Sequence, residues 1–239
     1  RAPMSSRLRR PGRLEGSRVP APTIESGPAH LAVPASRSVW KEHRWLPDAA
    51  ALLLLLAVTA LIGWDRLQND NWLGRTDLLN VWIPNYALLG RELRDFNIPA
   101  WSPFQASGLP FAGDPQSGWM YLPAMILYAF LAPAAAAKAM VVFLLALASL
   151  STYAFARVLG LRPVGSLVAA VSFAFGALVY QTTSCCTIWS RVSPFLPVGF
   201  LGIELSLRQA TWRGRFFGWS LTALAVSQIM AGWMGQGVY

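Results

Sequence analysis

Two aspartates offer the most direct chemistry in this sequence. Asp77 stands in "GRTDLLNVWIPNY" and Asp114 in "AGDPQSG", both within a polar stretch between apolar runs. A carboxylate in apolar surroundings can have its pKa raised, and it can then remove a proton from an acceptor hydroxyl. Structural roles are the alternatives, because aspartate caps helices well and Asp-Pro favours a turn. The residues alone leave both roles open at both positions.

Arg75 lies two residues before Asp77 and offers positive charge for a phosphate group. Other basic residues on the same expected side of a membrane include Arg91, Arg94, Lys138 and Arg191. Arg75 could instead extend its charge towards water from an apolar site, or pair with an acid. The stretch contains no D-x-D pair, so neither a tightly held metal nor a cofactor is predicted. The two histidines, His30 and His43, precede the first apolar run, which excludes a histidine-dependent triad in the apolar part of this chain.

The composition predicts an integral membrane protein. The 239 residues are 54% hydrophobic and 13% charged, with a mean hydropathy of +0.41, whereas about a quarter of the residues in a soluble domain are charged. Charged residues are absent from 49–64, 139–156, 163–190, 192–203 and 216–239. Runs of roughly 18 apolar residues are long enough to cross ~30 Å of hydrocarbon as helix.

The amino-terminal tail carries much of the positive charge. Nine of the twenty basic residues lie in 1–45, and a basic tail beside a span is a topology signal or a lipid contact rather than a nucleic-acid site. The tail is rich in Arg, Pro, Ser and Gly, so we expect it to be disordered and cytoplasmic. Cys185 and Cys186 are adjacent, which predicts neither a structural bridge nor a metal site. Because the chain starts at Arg1 and stops directly after an apolar run, we expect it to be a fragment.

The fold class predicted is all-α, a polytopic bundle with about five spans in the part 46–239. The first span is an uncleaved anchor, and the predicted spans are 46–64, 136–158, 164–181, 193–208 and 216–234. The apolar segment 119–133 is short for a crossing, and an interfacial or re-entrant helix remains open for it. If it does not cross, fourteen of the twenty basic residues lie on one side. The positive-inside rule then predicts that 65–135 is a large outer loop.

An amphipathic helix is predicted inside this loop, starting near Pro84 because proline suits a first helical turn. Its apolar stripe is Trp82, Tyr86, Leu89, Leu93 and Phe96, at helical spacing. Trp and Tyr on the apolar face fit a helix at the membrane interface. A core-facing helix of a small extramembrane domain fits equally well.

The loop sequence resembles the first outer loop of YfhO-type bacterial membrane proteins, which belong to the GT-C class of multispanning glycosyltransferases. The resemblance is carried by Asp77, by an aromatic-Pro-x-Tyr segment, by "IPAWSPFQASGLPFAGDPQSG" and by an aromatic-Pro entry to the next apolar run. It covers 46–239, the amino-terminal portion of such proteins. One departure is "AGWMGQGVY" at 231–239, where a Gly-His-Pro-Gln-like segment is expected.

The resemblance implies a glycosyltransferase of the bacterial cytoplasmic membrane. Such an enzyme moves a sugar from a polyprenyl-phosphate carrier to a polysaccharide, lipid or protein acceptor on the outer leaflet. It implies Asp77 as the catalytic base and Asp114 as a second acid that positions the acceptor or a metal. The substrate-binding residues implied are Arg75, Tyr86, Gln116 and Tyr121. Phosphate is a weak base, so it can leave without the general acid that a glycosidase needs.

Two other hypotheses stay open. A transporter or lipid-handling protein without chemistry would carry ionisable residues inside its spans, and Glu204 is the one candidate. The third hypothesis is an inactive truncated chain, because the rest of the membrane domain of YfhO-type proteins is missing from it.

Overall fold

Helices build the part of the chain that the computed structural model describes, residues 45–71, 73, 78–104, 107–114, 117–183 and 187–232. All of these residues belong to one unit, Glu42–Tyr239. The α-helices are α1 Trp45–Gln68, α2 Ile83–Arg94, α3 Leu122–Phe130, α4 Pro133–Val158, α5 Pro163–Ala174, α6 Thr187–Val192, α7 Phe195–Arg208 and α8 Trp212–Gly232. Within these ranges the only β-pairing is an isolated bridge between Ser102 and Leu109. The all-α prediction is confirmed.

Proline sets the start of several helices. The first turns of α2, α3, α4 and α5 each contain a proline, where the missing N–H is not needed and the fixed φ suits the helix. The helix start predicted near Pro84 is therefore confirmed. A π-helical turn, Leu78–Trp82, leads directly into α2.

Two helices, α1 and α4, are long and apolar enough to cross a membrane. Three further spans were predicted, and two of their helices are short. Helix α5 has 12 residues and ends at Ala174, and α7 has 14 residues, so their axes measure about 18 Å and 21 Å. Helix α8 has 21 residues, which gives it about 31 Å.

Ion pairs join α1 and α4 at both ends. Arg157 near the end of α4 donates to both carboxylate oxygens of Asp48 in the first turn of α1, at 2.6 and 3.1 Å. At the opposite end, Lys138 pairs with Asp70 at 2.6 Å and donates to the Leu67 carbonyl at 2.9 Å. The two helices are therefore antiparallel.

Small residues bring α7 and α8 into backbone contact. A Cβ at Gly202 would lie 2.7 Å from the Gly218 carbonyl oxygen, and a Cβ at Gly218 would lie 2.6 Å from that of Gly202. Thr222 fills the remaining space and donates a hydrogen bond to the Gly199 carbonyl at 3.2 Å. Close contact through small residues is the usual packing of helices in membranes.

Helices α2 and α3 form a lobe with the segments that flank them, residues 78–131, which we call the aromatic lobe. Tyr86 and Leu89 of α2 are buried, and the Tyr86 and Tyr128 rings lie 5.2 Å apart. Gly90 allows this approach, because a Cβ there would clash with the Tyr128 carbonyl. The apolar face of α2 is thus covered by protein, which favours the core-facing alternative over a lipid-facing one.

The predicted apolar stripe is wrong at its last residue. Phe96 is fully exposed and has φ 55°, because α2 ends at Arg94 in a left-handed turn. The Asn97 amide donates to the Glu92 carbonyl at 2.9 Å, the 6→1 bond of a Schellman motif. Phe96 therefore lies beyond the helix and outside the apolar face.

Candidate functional site

A buried arginine, Arg191, is at the centre of the candidate site. It lies in α6 and exposes only 3% of its surface. Its guanidinium carbon is 3.7 Å from the centroid of the Trp82 ring and 4.8 Å from that of Tyr86. A desolvated cation–π contact stabilises by about 2 kcal/mol, and the planar guanidinium suits stacking on aromatic faces. The two aromatic rings therefore hold a permanent positive charge inside the protein.

Tyr121 links the arginine segment to the start of α3. Its hydroxyl donates to the Arg191 carbonyl at 3.1 Å, and its ring meets Phe195 edge-on with centroids 6.0 Å apart. The next residue, Leu122, donates its amide to the Gln228 side chain of α8 at 2.8 Å. Gln228 thereby satisfies one of the free N–H groups at the start of α3. Four helices, α3, α6, α7 and α8, fix this corner.

Three buried tyrosines lie near Arg191, and Tyr86 is the one whose ring contacts the guanidinium. Burial raises the pKa of the Tyr86 hydroxyl, and the Arg191 charge opposes part of that rise. Burial likewise raises the pKa of Tyr121 and that of Tyr128. The Tyr86 hydroxyl is buried and interacts with the Arg191 side chain. These phenols stay neutral near pH 7 and cannot serve as bases. Tyr121 is already bonded to the Arg191 carbonyl, whereas Tyr86 and Tyr128 line the cleft described next.

A narrow cleft runs beside Arg191 and has a mixed lining. Its polar lining includes Thr183, Ser190 and Arg191, and the phenols of Tyr86 and Tyr128 also line it. One face of α4 supplies the apolar lining with Ala137, Met140, Val141 and Leu144, a stretch of about 10 Å along the helix axis. The cleft therefore places a cation beside an apolar helix face. Its free volume is about 30 Å³, room for a few water molecules, so a larger ligand requires its lining side chains to move.

Only some of the predicted catalytic and binding residues can be placed at the cleft. Asp77, Arg75 and Gln116 lie outside the described residues. Leu78, to which Asp77 is bonded in the chain, lines the cleft together with Tyr86. Tyr121 reaches the same corner through its bond to Arg191.

Asp114 lies on the turn that its Asp-Pro sequence predicts, and it does not line the cleft. Its carbonyl accepts from the Ser117 amide and hydroxyl at 3.1 and 2.8 Å. Asp114 borders a separate depression, which Met230 of α8 also lines. Gly118 lies between the depression and the cleft. Its φ is +62°, and a Cβ added there would lie only 2.7 Å from the Tyr86 hydroxyl. Any larger residue at 118 would be strained and would displace Tyr86.

The other candidate phosphate ligands are engaged elsewhere. Arg94 donates to the carbonyls of Tyr128 and Ala129 at 3.4 and 3.3 Å, and Arg91 lies 3.5 Å from Glu92. Lys138 is held between α1 and α4, as described above. Among the described residues no three His, Cys, Asp or Glu side chains come together as a metal site would require. The expectation that no metal is tightly held stays a prediction, because Asp77 is not among the described residues.

No family model, curated protein or solved structure matches the chain. The resemblance to YfhO-type proteins therefore rests on the quoted loop residues alone.

Sequence reasoning counted Arg191 among the basic residues but did not select it. A signal was present, since Arg191 is the single charged residue between Arg162 and Glu204. An isolated cation in so long an uncharged stretch is either a loop charge or a buried functional group. Only the contact with Trp82, more than a hundred residues earlier, decides between them.

Proposed function

We propose that the full-length protein is a membrane glycosyltransferase that takes a sugar from a polyprenyl-phosphate carrier on the outer face of the bacterial cytoplasmic membrane. The observation that carries the proposal is the mixed lining of the Arg191 cleft. A lipid phosphate joins an anionic head to a long apolar chain, and the cleft offers a cation beside an apolar helix face.

The membrane setting has support beyond the length of α1 and α4. The paired charges at Asp48 and Asp70 are 22 positions apart in the sequence, and the helical part, Asp48 to Gln68, measures about 30 Å along α1. Lys138 and Arg157 are 19 positions apart on α4, or about 29 Å. Both spacings match the ~30 Å thickness of a hydrocarbon core, and no charged residue lies between the paired positions except in the last turns of α1.

The distribution of side chains over the surface also supports a lipid setting. The inner face of α1 carries Ala51, Thr59 and Gly63, whereas Leu53 and Leu61 point outwards. Helices α7 and α8 repeat the pattern, with glycines inside and large apolar residues exposed. A soluble monomer rarely exposes apolar surface on this scale. We extend the proposal to a multi-pass bundle with a cytoplasmic amino terminus, since the positive-inside count favours that orientation.

In the proposed mechanism the cleft orients the donor. Arg191 binds the donor phosphate and stabilises the negative charge that develops on it as the sugar–oxygen bond breaks. The Tyr86 hydroxyl is placed to hydrogen-bond the same group. Asp77, bonded to the cleft residue Leu78, removes the proton of the acceptor hydroxyl as that oxygen attacks the anomeric carbon from the opposite face. The configuration at that carbon is inverted.

The transport alternative receives no comparable support. Glu204 accepts a hydrogen bond from Arg208 one turn later at 2.5 Å, near the end of α7. An acid paired in this way at a helix end is not a group inside a translocation path.

The proposal is tested by measuring sugar transfer to the cell envelope in cells that carry the full-length protein with single substitutions. We expect Asp77→Asn to abolish transfer. Arg191→Gln should reduce transfer by about tenfold to a hundredfold, since hydrogen bonds to a charged group contribute about 1.5–3 kcal/mol. Arg91→Gln, on the exposed side of α2, is the matched control and should leave transfer unchanged. Transfer at the wild-type rate by both the Asp77 and Arg191 variants would refute the proposal.

A further inference from the structure

Helix α3 turns an entirely apolar face away from the protein. Leu122, Ile126 and Phe130 recur every fourth residue and are 41%, 56% and 83% exposed. The opposite face, with Ala124 and Tyr128, is buried against the core. The sequence of the helix, "LPAMILYAF", contains no charged residue. In water this face would be an unfavourable apolar surface.

The position of α3 brings this face close to the end of a membrane-crossing helix. Only Leu131 and Ala132 separate α3 from α4, so the two helix ends lie within about 10 Å of each other. Lys138, in the second turn of α4, contacts Asp70 just after the end of α1. The end of α1 and the start of α4 therefore lie at the same depth relative to the membrane, and Phe130, three residues before α4, lies close to that depth.

The polar side of the aromatic lobe belongs to α2. Arg91 and Arg94 of α2, and Asp95 directly after it, are exposed, while the apolar face of α2 covers the inner side of α3. Arg94 donates to the last carbonyls of α3, which places a cation at the helix terminus where the dipole favours it. The pair of helices therefore has a charged side and an apolar side, as a lipid surface requires.

We propose that α3 lies in the plane of the membrane surface, with Leu122, Ile126 and Phe130 inserted among the lipid chains and α2 above it on the water side. With nine residues, or about 13 Å, α3 is too short to cross. A lipid surface fits better than a protein partner, because stable protein interfaces bury about 800 Å² on each side and three side chains supply far less. Helix α4, which follows α3 after two residues, also exposes apolar side chains such as Phe143. This inference goes beyond sugar transfer and does not depend on it.

The test uses the full chain with both native cysteines replaced by serine, reconstituted into vesicles of phosphatidylcholine and phosphatidylglycerol. Single cysteines at Ile126, Phe130 and, as the water-side control, Arg91 carry a nitroxide spin label. A further label at Phe143 reports on the lipid-facing side of α4. For each label we compare collisions with oxygen, which concentrates in lipid, and with a nickel chelate, which stays in water.

Oxygen should dominate at 126, 130 and 143, and the nickel chelate should dominate at 91. Nickel access at 126 and 130 with oxygen access at 143 would overturn this inference alone, because the helix would face water beside an intact membrane span. Protection of 126 and 130 from both reagents would also overturn it, since a protein surface would then cover the face. Nickel access at 143 would overturn the membrane setting on which the proposed function also rests.

Discussion

Replacing Gly202 by alanine tests the close packing of α7 against α8. The added Cβ would lie 2.7 Å from the Gly218 carbonyl oxygen and would clash with the Thr222 hydroxyl. Ordinary contact begins at 3.4 Å, so the backbones must separate by about 0.7 Å or the helices must rotate. Overpacking of this kind typically costs about 1–3 kcal/mol. The upper part of the range applies here, because the obstructing atom belongs to the backbone.

Gly199→Ala is the matched control on the same helix. A Cβ at Gly199 would meet that of Ala225 at 3.5 Å, an ordinary contact. Both substitutions replace glycine by alanine within α7, so the gain in helix propensity of up to about 1 kcal/mol is shared. The difference between the two variants therefore isolates the steric term. We expect Gly202→Ala to be less stable than Gly199→Ala by about 2–3 kcal/mol, the upper part of that range.

The assay is equilibrium unfolding of the purified chain in mild detergent, followed by far-UV circular dichroism as a denaturing detergent is added. Equal stability of the two alanine variants would refute the packing of α7 and α8 described above. A lower stability of Gly199→Ala than of Gly202→Ala would refute it more strongly.

Two further predictions use charge. Asp48→Asn should lower the free energy of unfolding by about 1.5–3 kcal/mol, because it breaks a two-point hydrogen-bonded pair with Arg157 and hydrogen bonds to charged groups contribute that much. Asp70→Asn should lower the free energy of unfolding by less than about 1 kcal/mol, because the Asp70 side chain is 73% exposed. Thermal unfolding of both variants compares the two losses, and a larger loss at Asp70 than at Asp48 would contradict the prediction. Stability should also fall as the pH rises above about 10, because burial raises the pKa of Tyr86 above its value of 10.0 in the unfolded chain and the unfolded state then loses a proton that the folded state keeps. Thermal unfolding between pH 8 and 11 measures this fall, and Tyr86→Phe should reduce its slope; an unchanged slope would contradict the burial of this hydroxyl.

The helices that sequence predicted best are those whose signals are local. The anchor predicted at 46–64 is α1, and the segment predicted at 136–158 is α4 with three more residues at its start. Uncharged sequence marks such helices because burying charge in lipid is costly. The start of α2 was equally predictable, since Pro84 favours a helix start in the turn where it stands.

Predicting helices from uncharged sequence failed at one span, because loops and turns there also lack charge. The predicted span 164–181 contains a helix that stops at Ala174, and turns follow from Phe175 onwards. Gly176 and the polar residues after Tyr180 carry no charge, so a charge count cannot separate them from helix. Phe96 failed for a related reason, because spacing alone cannot locate the left-handed turn that ends α2.

The candidate site was the least predictable part, because it depends on contacts between distant segments. Trp82, Tyr128 and Arg191 come from three separate elements, and no local pattern links them. Sequence did predict Tyr86 and Tyr121 as binding residues through the resemblance, and both lie at the cleft corner. Asp77 stays a prediction, with Leu78 as its nearest described neighbour in the chain.

Photo-crosslinking of a lipid phosphate in the full-length protein tests the central claim most directly. A polyprenyl phosphate with a photoreactive group on its chain would be irradiated with the reconstituted protein, and the matching neutral polyprenol would be the control ligand. We predict adducts on the α4 segment 137–144 for the phosphate, strongly reduced for the polyprenol and for the Arg191→Gln variant. Equal labelling of that segment by both lipids, or adducts confined to the outer apolar surface of the helices, would contradict a lipid-phosphate site beside Arg191.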